Sequence, residues 1–144
     1  MQRLIPALLF GLLAFVSCTK SDTDDQQKLL NDQWYVAYFE TIPTGTTVPT
    51  DKTSDFTGFT FEFNDNDELV VRSPNGSNAT AQWKALDNDT KMGIKMANPF
   101  APIDALMGNW RITEKTANSL ELKSIDALAT DPNFSSTTVY FKKQ

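Results

Sequence analysis

The chain has no histidine and a single cysteine, Cys18. Acid–base and nucleophilic catalysis at neutral pH lean on imidazole and thiol groups, and a glycine-rich phosphate loop is also missing. A lone cysteine can neither close an internal disulfide nor, without histidine, build a transition-metal site. Carboxylates remain: Asp65, Asp67 and Glu68 form one cluster, Asp87 and Asp89 another. Both clusters sit among asparagines in tight-turn sequences, where short polar side chains tolerate left-handed backbone angles. Neither has the ordered spacing of a calcium loop. The tripeptides Asn75-Gly76-Ser77, Asn78-Ala79-Thr80, Asn88-Asp89-Thr90 and Asn133-Phe134-Ser135 match the glycosylation acceptor pattern but read as turn composition. The expectation is therefore no enzyme, no catalytic residue, no cofactor and no metal.

Position gives Cys18 its meaning. Met1-Gln2-Arg3 precedes an uncharged apolar run from Leu4 to Val16, which stops abruptly at Cys18-Thr19-Lys20-Ser21-Asp22. This is the three-part layout of a secretory signal. Such a run, about 13 residues, rises roughly 20 Å as a helix, short of the roughly 30 Å hydrocarbon core. Ala14-Phe15-Val16-Ser17-Cys18 resembles a lipobox, with Phe15 where that pattern prefers leucine. The resemblance implies a signal peptide over 1–17, acylation (palmitate) of Cys18, and a mature protein that begins at Cys18. Residues 18–28 are polar, carry Asp22, Asp24 and Asp25, lack apolar periodicity and read as a flexible tether. Lys20 and the aspartates after it resemble the export signal of Bacteroidetes surface lipoproteins. Lipid anchoring in the cell outer membrane is expected, with the surface and periplasmic faces both open.

The formal charge is −5, and removal of Arg3 with the signal leaves twelve cations against eighteen carboxylates. Nucleic acid is excluded as a natural partner on that balance. Residues 29–144 suffice for one domain with one core.

That domain should be all-β. Aromatic and β-branched residues dominate, turn dipeptides recur, and no long segment has helical apolar spacing. Strands are expected over 33–41, 56–64, 68–73, 78–86, 91–97, 109–116, 119–124 and 137–142. Phe59-Thr60-Phe61-Glu62-Phe63 alternates most clearly, three phenylalanines on one face and polar groups on the other. In 33–41 both faces carry bulk: Trp34, Val36 and Tyr38 alternate with Tyr35, Ala37 and Phe39. The expected inward set is Trp34, Phe59, Phe61, Phe63, Trp83, Met92, Met96, Trp110 and Phe141. Residues 98–107 interrupt the meander with Pro99 and Pro102, leaving room for a helical turn or two near Ile103, and 125–136 has room for a short helix. The segments Leu30 to Val36 and Leu106 to Ile112 share an echo: leucine, three residues, tryptophan, one residue, a β-branched residue.

At these residues the chain resembles the lipocalin-like lipoproteins of Bacteroidetes, small eight-stranded barrels with a tryptophan at the start of the first strand. The tryptophan position corresponds to Trp34, but Asp32-Gln33-Trp34 lacks the glycine of the lipocalin Gly-x-Trp motif, which appears instead as Gly108-Asn109-Trp110. The resemblance implies an eight-stranded antiparallel up-and-down barrel over 29–144, binding a small apolar molecule. The alternative is a structural or interaction module that contacts another envelope protein. Eight strands can close around packed side chains or around one ligand, and the bulk of the inward set favours packing. Contact with ligand or partner is expected at the barrel mouth or the proline-flanked segment, at Phe100, Ile103 and Met107. If those three plug the barrel end, they belong to the core instead.

Overall fold

The computed structural model describes residues 31–124 and 135–144. The expected signal and tether, Cys18 and the region expected to hold a short helix in 125–134 lie outside the described residues.

Among the described residues nine strands form one sheet: β1 (Gln33–Ile42), β2 (Thr50–Asp51), β3 (Thr60–Phe63), β4 (Glu68–Arg72), β5 (Asn78–Leu86), β6 (Lys91–Lys95), β7 (Gly108–Lys115), β8 (Ser119–Ser124) and β9 (Ser136–Lys143). From β3 to β9 each strand pairs antiparallel with the next, and β1 pairs with both β3 and β9. Eight strands thus close into an up-and-down barrel, and the two-residue β2 lies alongside β1 as an extra. Closure removes the unpaired edges that a meander would otherwise expose.

Antiparallel order sends connections alternately to the two ends. One end carries the short turns at 64–67, 87–90 and 116–118. Here the asparagine and aspartate clusters do what their residue types imply: Asp67, Asp87, Asn88 and Asp89 have φ of 63°, 51°, 52° and 60°. The other end carries the longer connections at 43–59 and 96–107, with 3-10 turns at Thr53–Phe56 and Ile103–Leu106.

The barrel interior is packed. Trp34, Phe61, Phe63, Trp83, Met92, Trp110 and Phe141 are buried as expected, while Phe59 and Met96 are half-buried against the core. Phe63 stands edge-on to Trp83 at 5.3 Å and to Phe141 at 6.1 Å, linking β3, β5 and β9 through the middle of the barrel. Burying the indoles leaves no donor stranded. Trp83 Nε1 donates to Asn64 O at 3.0 Å and Trp110 Nε1 to Leu106 O at 2.9 Å.

A β-bulge resolves the two bulky faces of the first strand. The register shifts between Val36 and Tyr38, so Trp34 and Val36 point inward before the bulge and Phe39 after it, while Tyr38 turns out to solvent. An extra residue changes the phase of the alternation and sharpens the local twist, both useful in a tightly closed barrel. A second bulge lies between Ile112 and Glu114 in β7.

The strand expected over 56–64 starts later, at Thr60. Phe56 ends a 3-10 turn, Phe59 N donates to Phe56 O at 3.1 Å, and Gly58 has φ of 80°. That left-handed angle suits glycine and breaks the strand that the phenylalanine pattern alone would extend.

Candidate functional site

β1 meets β3 only through Gln33 and Trp34, whereas its far half pairs with β9 through Ile42. On the β3 side, the backbone of that far half needs other partners. Residues 43–59 supply them as a strap. Glu40 and Thr41 pair with Asp51 and Thr50 of β2. Phe39 N donates to Thr53 Oγ1 at 2.9 Å, and Lys52 N donates to Phe39 O at 2.9 Å. Thr53 is itself held: its hydroxyl and its N–H donate to Asp51 Oδ1 at 2.6 and 2.8 Å. These two hydrogen bonds hold the Asp51 carboxyl below its usual range.

The strap delivers Phe56 to the barrel end. Its ring lies 4.7 Å from that of Phe39, tilted by 35°, and both residues are buried. From the opposite side comes the proline-flanked segment, through a cis Ala101–Pro102 peptide into the turn at Ile103–Leu106. Between strap and segment opens a cleft of about 480 Å³. Phe39, Phe56, Ala101, Pro102 and Ala105 give it apolar walls, and Lys52, Asp55 and Asp104 bring charge.

The three expected contact residues have different fates. Ile103 is 0% exposed and belongs to the core with Leu106, so it plugs the barrel end. Met107 is half-buried against that core. Phe100 is 37% exposed, and its carbonyl accepts from Asp104 N at 2.9 Å, which ties it to the turn. The structure brings Pro102 into the cleft wall and leaves Phe100 beside it in sequence. Phe39, Thr53 and Phe56 were not among the expected site residues, although Pro43, Gly45, Pro49 and Gly58 bracket the strap that places them.

Such a cleft can hold a small group with its apolar part against Ala101, Pro102 and Ala105 above the buried phenylalanines, while the charged residues meet its polar end. Among the described residues, no three carboxylates gather where they could hold a metal ion, and no helix is long and apolar enough to cross a membrane. Comparisons with family models, with curated proteins and with solved structures find no match.

Proposed function

We propose that this chain is a lipid-anchored, non-catalytic binding domain of the bacterial outer membrane, similar in plan to the lipocalin-like lipoproteins of Bacteroidetes. Cys18 carries the lipid, residues 18–28 space the barrel from the membrane, and the loop-end cleft takes a small apolar ligand. One observation carries the choice of site. The interior is occupied by its own side chains, whereas the cleft between strap and proline segment is open, with Phe39 and Phe56 at its floor among small and charged residues. Its volume, about 480 Å³, falls within the range of small-molecule sites.

Two or three acyl chains, each contributing about 0.8 kcal/mol per buried methylene, would hold the protein at the membrane without help from the barrel surface. The barrel is then free to present its loop end. Exposure of Phe100 favours a second reading, in which this end docks an envelope protein.

Labelled palmitate supplied to expressing cells should enter the wild-type protein and not Cys18→Ser, which should be released in soluble form. The soluble variant should bind a fluorescent apolar probe, and Ala105→Trp, which fills the cleft, should abolish that binding. Probe binding untouched by Ala105→Trp would refute the site; membrane retention of Cys18→Ser would refute the anchor.

A further inference from the structure

The outer face of β5, β6 and β7 has a gap at its centre. Register places Gly93 between Lys84 of β5 and Asn109 of β7, with Gln82 opposite Lys95 in the next row. Inward neighbours Trp83, Met92, Ile94 and Trp110 are buried, so these outer residues face solvent. Glycine weakens a strand interior and often marks close approach by a ligand or another backbone. No left-handed angle demands it here, and a Cβ at this position would stand 3.4 Å from Asn109 Oδ1 and 3.7 Å from Leu86 Cδ1. Gly93 lines a groove of about 390 Å³.

The groove's chemistry is mixed in a definite way. Lys84 and Lys95 line it, and among the described residues neither has an ion-pair partner, although the chain carries a net charge of −5. Among the described residues Arg111, one row away opposite Lys91, has no ion-pair partner either. Asn66, Asp67, Gln82 and Asn109 also line the groove, beside the half-exposed Leu86. Ammonium groups only donate, a carboxylate only accepts and amides do both. A bare anion would use the lysines and be repelled by Asp67. A ligand with one negative charge and several hydroxyls uses all of them.

We infer that this groove binds an acidic saccharide: the sugar carboxylate is held by Lys84 and Lys95, its hydroxyls by Asn66, Asp67, Gln82 and Asn109, and the ring lies over Gly93. The site is on the barrel wall and independent of the loop-end cleft.

The test is a titration of the intact protein in detergent with sodium glucuronate, followed through backbone amide shifts, with glucose and inorganic phosphate as comparison probes. Glucuronate should move Lys84, Gly93 and Asn109 saturably, and each comparison probe should bind at least about tenfold more weakly, since each supplies only half of the matching groups. Gly93→Val should keep the melting temperature and lose glucuronate binding, because valine suits a strand and fills the floor. Lys84→Gln with Lys95→Gln, surface changes that spare the fold, should weaken glucuronate by about tenfold or more. Phosphate binding as tightly as glucuronate, shifts that fail to saturate, or unchanged affinity in the double lysine variant would each overturn the assignment.

Discussion

The ring of Phe39 lies 4.7 Å from that of Phe56, across the seam where β1 has parted from β3. That pair joins the barrel to its strap. It also forms part of the cleft wall, so stability and binding share two side chains there. Phe56→Ala should cost roughly 3–5 kcal/mol, the usual figure for a buried aromatic. Denaturant unfolding checks this, and a loss below about 1 kcal/mol would mean that the strap is not part of the core.

The strap should also respond to acid. Its hydrogen bonds from Thr53 lower the Asp51 pKa in the folded protein. A depressed carboxylate pKa contributes stability above the unfolded value and loses it as pH falls through the folded one. Protection of the Phe39 amide from hydrogen exchange should therefore fall below the ordinary carboxylate range. In Thr53→Val the Asp51 carboxyl should titrate closer to its ordinary value, as read by nuclear magnetic resonance. An unshifted titration in that variant would remove Thr53 as the cause.

Trp110→Phe keeps most of the apolar volume and deletes one donor. It leaves Leu106 O without the indole bond seen at 2.9 Å. The expected cost is about 1–3 kcal/mol for the stranded carbonyl, on top of a small packing loss. Thermal unfolding measures it, and a cost near zero would show that water replaces the indole.

Phe100 and Ile103 stand three residues apart with opposite roles. Ile103→Ala should destabilise by about 2–5 kcal/mol, since the side chain is enclosed in the core. Phe100→Ser should cost clearly less than Ile103→Ala, since that side chain is 37% exposed. If the apolar ligand or an envelope partner reaches past the cleft wall, Phe100→Ser will weaken its capture. A large melting-temperature drop for Phe100→Ser would place that ring in the plug.

Much of the barrel was legible in the sequence because alternation and turn chemistry are local. Phe61 and Phe63 face inward as their period of two requires, and Asp67 and Asp87 turn the chain as their residue type allows. The strap was not legible, because its reason to exist is non-local: it fills the gap left by the early parting of β1 and β3. The bulge at Val36/Tyr38 was hidden for a related reason. Phe39 lies in a strand whose two faces both carry bulk, and only the pairing with β9 shows where the phase changes. Ile103 and Phe100 looked alike as apolar residues in one proline-flanked segment, and the 3-10 turn that buries one and exposes the other depends on what lies beneath it.

An apolar ligand should meet the loop-end cleft and not the barrel interior. Titrating soluble Cys18→Ser protein with a small apolar probe, while following backbone amides, tests it most directly. Shifts should centre on Phe39, Phe56, Ala101 and Ala105, with Phe63, Trp83 and Phe141 unmoved. Shifts centred on Phe63, Trp83 and Phe141 would put the ligand in the lumen and rule out the cleft as the site.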